Sequence, residues 1–123
     1  MDIAMGTFFH PITLIGPAGQ ESVDALVDTG STFTTIPRPI LERLGVVAFT
    51  RARLRLATGE AEITDLGEVI AELDGQDGRT VICAFGRPDA PPTIGAHALE
   101  AFLLGVDPEQ KRLVPLNGWW ATS

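Results

Sequence analysis

Leu26-Val27-Asp28-Thr29-Gly30-Ser31 is the stretch on which the reading of this chain turns. The apolar run Ala25-Leu26-Val27 reads as the end of a strand, and it stops at a carboxylate. Such a strand would hold Asp28 at the edge of a core, with Gly30 letting the backbone turn closely behind it. The hydroxyls of Thr29 and Ser31 flank the carboxylate and can donate hydrogen bonds that fix its geometry or charge. Three residues alone say little, because an Asp after a strand also caps turns with its own side chain. Their meaning depends on what the chain builds around them.

Upstream, Thr7 to Ile15 is β-branched and aromatic and stops at Gly16-Pro17-Ala18-Gly19, a strong turn signal. Glu21 to Val27 then forms the second arm of a hairpin that delivers Asp28. Downstream, Thr32 to Ile36 is a short strand ending at Pro37. Pro39 suits a first helical position, Ile40, Leu41 and Leu44 share a face, and Gly45 fits the stop, so a two-turn helix is expected there. Arg51 to Leu66 reads as a hairpin tipped at Thr58-Gly59, and a four-residue loop from Ala57 to Glu60 would keep the same register. That tip sets Leu54 opposite Ile63, Leu56 opposite Ala61 and Arg55 opposite Glu62, the register cross-strand pairing favours. A further hairpin joins Glu68–Leu73 to Thr80–Phe85 through Gly75-Gln76-Asp77-Gly78. After Thr93-Ile94-Gly95 comes a second short helix, Ala96 to about Leu103, with Leu99, Phe102 and Leu103 at helical spacing. Leu113 to Leu116 is the last strand, giving about seven short strands and two short helices.

Composition agrees with that pattern and removes several function classes. The 123 residues are expected to form one domain, 1–123. Thirteen Gly and nine Pro favour a turn-rich β fold over a helix bundle. Nine Lys and Arg against sixteen Asp and Glu give a net charge of −7, so the basic footprint of a nucleic-acid binder is missing. Binding to an anionic membrane surface is disfavoured on the same ground, and no apolar run approaches the ~20 residues of a membrane span. The single cysteine, Cys83, sits in an apolar run and reads as a buried, inert thiol. His10 and His97 have no second histidine at metal-ligand spacing, so no metal and no cofactor is expected. The first residues do not read as a signal peptide, and a cytoplasmic location is expected.

The chain resembles the retropepsin-like aspartic peptidases, the single-domain relatives of retroviral proteases, and the resemblance spans most of it. Ala25 to Thr32 is similar to the family's active-site loop. Leu54 to Ile63 is a Gly-tipped hairpin where the family keeps its flap, here with the tip Leu56, Ala57, Thr58, Gly59 and Glu60. Thr93-Ile94-Gly95 running into Ala96–Leu103 is similar to the apolar-Gly motif that leads into the family's helix. Val106-Asp107-Pro108 through Leu113-Val114-Pro115 resembles the closing hairpin. The sequence departs from the family at three points: Thr93 replaces the usual aliphatic residue, the flap has a single glycine, and there is no Tyr.

The resemblance implies a mostly β, closed retropepsin-like barrel with two short helices and one flap hairpin per chain. It implies Asp28, Thr29 and Gly30 as catalytic residues, with Ser31, Ile94 and Gly95 in support. Neither Asp74-Gly75 nor Asp77-Gly78 supplies a second motif, so Asp28 would have to meet Asp28 of a second copy across a two-fold axis. By the same analogy Thr29 would bond across that axis and Ser31 would orient the outer oxygen of its own carboxylate. Trp119 and Trp120 suit either an interface or packing on the monomer's own sheet. Leu54, Leu56, Ile94 and Leu99 suit either an apolar cleft or the core. The implied activity is hydrolysis of extended peptide or protein segments by a homodimer. The alternatives are a non-catalytic dimeric peptide-binding module on the same fold, and a small β-barrel binding domain whose Asp28 turn is incidental.

Overall fold

The computed structural model describes residues 8–55 and 61–116. Nine strands and two helices follow in the order β1 (Phe9–Gly16), β2 (Gly19–Val27), β3 (Thr34–Pro37), α1 (Arg38–Arg43), β4 (Ala48–Arg55), β5 (Ala61–Leu73), β6 (Gln76–Gly86), β7 (Thr93–Ile94), α2 (Ala96–Ala101), β8 (Leu104–Asp107) and β9 (Arg112–Pro115). The expected hairpin of β1 and β2 forms around Pro17-Ala18, and both expected helices are present. The strand count exceeds seven because the two-residue β7 is a strand of its own and the closing hairpin has two short arms, β8 and β9.

Seven strands lie in the order β1-β2-β7-β3-β6-β5-β4, and β1 also pairs with β5. That extra pairing closes the first six into a ring, which leaves no free edge among them. Only β4 hangs outside, paired with β5, so β4 and the first half of β5 form a hairpin standing on the rim. Inside the ring the alternating positions Ile12, Leu14, Ala25, Val27 and Ile36 meet Ala71, Leu73, Cys83 and Phe85 in a continuous core. The helices close the ends: Leu41 of α1 and Leu99 of α2 are buried in the same cluster. No helix among the described residues is long and apolar enough to cross a membrane.

Two registers differ from the sequence expectation. In the β4–β5 hairpin Arg53 faces Ile63, Leu54 faces Glu62 and Arg55 faces Ala61, one residue away from the expected pairs. The reason lies downstream. β5 is thirteen residues long, and its core half is locked to β6 with Leu66, Val69, Ala71 and Leu73 inward. An irregularity between Ala48 and Thr50 then resets β4, and Arg51 meets Asp65 as an ion pair. A buried face constrains register far more than the solvated end of a hairpin does. The β5–β6 connection is also tighter than expected. Asp74 and Gly75, at φ 56° and 76°, make a two-residue turn of the kind Asp-Gly favours, and the strands run past the expected loop. The expected flap tip, Leu56 to Glu60, and Trp119-Trp120 lie outside the described residues.

Candidate active site

Asp28 is the first residue beyond β2, and the ring fixes it from both sides. β2 and β7 run parallel, Leu26 beside Thr93 and Val27 beside Ile94. The Asp28 N–H donates to the Ile94 carbonyl at 3.0 Å, extending that pairing to the carboxylate-bearing residue itself. The turn then folds back. Ser31 N–H donates to the Asp28 carbonyl at 3.1 Å, and Gly30 N–H donates to Asp28 Oδ1 at 2.9 Å. Asp28 is half-buried while Thr29 and Gly30 are exposed, so the carboxylate sits at the surface of a rigid base. One carboxylate oxygen is held by its own turn; among the described residues no hydrogen bond engages the other.

The second half of the anchor comes from the junction of β7 and α2. The first N–H groups of a helix have no partner within it. Here the loop supplies them: Ala96 N–H donates to the Ser31 carbonyl at 2.7 Å, and His97 N–H donates to the Thr32 carbonyl at 3.1 Å. Gly95 N–H donates to Thr34 Oγ1 at 3.1 Å. Thr34 is fully buried, the one buried polar residue among those described, and this bond satisfies it. A Cβ on Gly95 would come within 2.5 Å of the Phe33 carbonyl oxygen and 2.7 Å of that of Ser31. Its backbone is extended, at φ −98°, so close packing against the loop is what demands a glycine there. The His97 ring stands edge-on to Phe33 with centroids 5.3 Å apart.

Asp28, Thr29, Gly30, Ser31, Ile94 and Gly95 are therefore gathered at one place, although more than sixty positions separate the two segments. Ser31 differs from expectation in detail. Its hydroxyl donates to the Phe33 carbonyl at 3.3 Å instead of to the carboxylate, because the turn brings that carbonyl beneath it. Ile94 and Leu99 belong to the core, whereas Leu54 faces a recess. Thr34 escaped the sequence reading. The signal was available, since it lies two positions before the inward Ile36 and so must also point inward.

A recess of about 810 Å³ among the described residues does not include Asp28. It opens beside Thr35, whose strand partner Thr93 also pairs with β2, and it runs between the β4–β5 hairpin and the end of β6. Its walls are Leu54, Thr64, Phe85 and Ala90 together with charged residues from α1, β4, β5 and the loop after β6. Arg38 donates to Asp65 Oδ2 at 2.8 Å and Arg51 to Asp65 Oδ1 at 3.2 Å. The hydrogen bond from Arg38 is the main reason the Asp65 carboxyl is held below its usual range, with the charges of Arg38 and Arg51 adding to it. The Arg38 guanidinium also lies 4.8 Å above the Phe85 ring. Burial pushes the Cys83 thiol up to about 12, well away from nucleophilic reactivity. No group of three or more His, Cys, Asp or Glu among the described residues is placed to hold a metal ion.

The aspartyl protease family matches residues 13–107 of this chain. The fold is similar to the retroviral protease-like domain of Ddi1 from Leishmania major, with TM-score 0.59, 18% identity and coverage of 94% of this chain and 91% of that one. A retropepsin-like aspartic protease from Rickettsia conorii gives TM-score 0.51 at 14% identity, covering 87% and 90%. A foamy viral protease-reverse transcriptase, solved with an RNA/DNA hybrid, matches 75% of this chain over 12% of its own length, with TM-score 0.54 and 12% identity. No curated protein matches the sequence.

Proposed function

Since the chain belongs to the aspartyl protease family and carries a retropepsin-like fold, we propose that it is an aspartic endopeptidase whose active site is completed by a second copy. The observation that carries this reading is the double tether of the Asp28 loop. Asp28 N–H is bonded to Ile94, and the Ser31 and Thr32 carbonyls are bonded to the start of α2. The result is a carboxylate presented rigidly at the surface, with its neighbours Thr29 and Gly30 exposed beside it. The chain holds one such motif, so Asp28 faces Asp28 of the partner copy in a symmetric interface.

The chemistry follows from two carboxylates at close range. Like charges about 3 Å apart repel, so the two carboxyl groups share one proton between them. The ionised member takes a proton from water as the water attacks the scissile carbonyl, and the protonated member polarises that carbonyl. Gly30 N–H keeps Oδ1 of Asp28 in place throughout. Thr29 bonds across the axis, and the flap hairpin of β4 and β5 covers an extended peptide paired to it in β fashion.

The test is hydrolysis of an unstructured protein between acidic and neutral pH, run beside sedimentation. The wild type should cut and sediment as a dimer, while Asp28→Asn should keep the dimer and lose all cleavage. Cleavage that survives Asp28→Asn sinks the assignment. If neither protein cuts and both are dimers, the fold serves as a peptide-binding module.

A further inference from the structure

The charged residues around the recess do not balance. Among the described residues it presents three guanidinium groups, Arg38, Arg51 and Arg87, and two carboxylates, Glu62 and Asp65. Asp65 is fully used, one oxygen on Arg38 and the other on Arg51. Glu62, on the flap strand β5, reaches Arg87, on the loop after β6, only at 3.9 Å, beyond hydrogen-bonding distance. Glu42 lies as far from Arg38, on α1, and does not line the recess. In a chain of net charge −7, the described lining of this recess is thus one carboxylate short of neutrality.

We propose that this recess receives an acidic side chain of the bound peptide and that Arg87 is the residue that reads it. The proposal rests on the reading that an extended peptide lies beneath the flap. The recess begins at Thr35 on β3, with β7 between it and β2, the strand that ends at Asp28, so the acidic residue flanks the scissile bond and does not form it. Arg87 keeps a rigid fork of donors for a carboxylate, and its side chain is 71% exposed at the mouth. Glu62 holds that fork over the opening through a loose contact of a kind worth little by itself, which an incoming carboxylate readily displaces or shares. The filled recess would hold Glu62 and the ligand carboxylate around Arg87, the mirror of Arg38 and Arg51 around Asp65.

The experiment measures binding separately from cleavage. A labelled apolar decapeptide, with a single Glu, Gln or Lys walked through every position, is titrated against Asp28→Asn protein. At one position or more, Glu should bind about tenfold tighter than Gln, the size expected of a charge-assisted bond at a partly exposed site. Lys at that position should bind more weakly than Gln. Arg87→Gln should bring the Glu-to-Gln ratio to about one, Arg87→Lys should retain part of it, and Glu62→Gln should raise it. Equal binding of Glu and Gln at every position, tighter binding of Lys, or a ratio that survives Arg87→Gln overturns the proposal. Wild-type cleavage of the same peptides separates the two readings. Peptides that bind with this preference but are never cut remove the peptidase and leave the recess assignment standing. Cleavage with no preference removes the recess assignment alone, and a failure of any peptide to bind removes both.

Discussion

Replacing Gly95 by Ala asks whether the contact between α2 and the Asp28 loop is as close as the structure has it. The added methyl would lie 2.5 Å from the Phe33 carbonyl oxygen, 2.6 Å from its carbon and 2.7 Å from the Ser31 carbonyl oxygen. All three are backbone atoms. Both residues lie in the loop that the Ser31 and Thr32 carbonyls tie to the start of α2, so nothing can rotate out of the way. Overpacking a well-packed site costs about 1–3 kcal/mol, and obstacles that are backbone put this site at the upper end, about 3 kcal/mol. At about 2.1 cal/mol/K per residue, unfolding this chain carries roughly 260 cal/mol/K, so each kcal/mol moves Tm by about 4 °C and the expected drop is about 12 °C. Calorimetry at matched protein concentration is the assay, because association makes Tm concentration-dependent. Gly105→Ala is the comparison: its methyl would meet only the Leu116 side chain, at 2.8 Å, which can turn aside. A Gly95→Ala drop below about 4 °C, or one no larger than that of Gly105→Ala, would refute the close approach and with it the steric account of the loop's position.

Three further outcomes follow from individual contacts. Thr34→Val removes the acceptor of the buried Gly95 N–H; it should cost about 1–3 kcal/mol by denaturant titration, while Thr34→Ser keeps most of the stability. The depressed Asp65 carboxyl contributes stability that is present above the ordinary carboxylate range and lost as pH falls through its lowered folded value. Asp65→Asn should therefore be less stable than wild type at neutral pH, and the gap should close as the protein is acidified; a gap that is constant with pH argues against the Arg38 and Arg51 contacts. Cys83, fully buried with its thiol pushed up to about 12, should resist a thiol reagent at neutral pH in the native protein and react once guanidinium unfolds it.

The elements closest to the Asp28 loop were legible because each carries a local signal. Ala25-Leu26-Val27 ends a strand, Pro39 opens a helix, and Ile94-Gly95 precedes an apolar helical spacing. Their assembly was legible only through resemblance, since no local pattern says that a two-residue strand at Thr93-Ile94 slots in parallel beside Leu26-Val27. Thr34 shows the opposite case. A hydroxyl at an inward strand position must find a partner. The period-two pattern through Ile36 places it inward, yet the identity of that partner, an N–H sixty-one positions away, cannot be read locally.

The recess was hidden by a single slipped register. Pairing Arg55 with Glu62 satisfies two charges on the hairpin and leaves nothing for the body of the protein to meet. In the structure Glu62 faces Leu54 across the strands, and its carboxylate turns toward Arg87 of the loop after β6. The same shift places Arg51 opposite Asp65, which also receives Arg38 from the start of α1. Each cross-strand pair at the open end of a hairpin is worth only some tenths of a kcal/mol, so local pairing cannot hold a register against the core. The apolar side chains of the inner half of β5 are each worth one to three when buried, and they decide it. The charges at the open end of the β4–β5 hairpin therefore take up positions chosen by a hydrophobic face several residues away, and so the pattern of charge around the recess is a consequence of core packing.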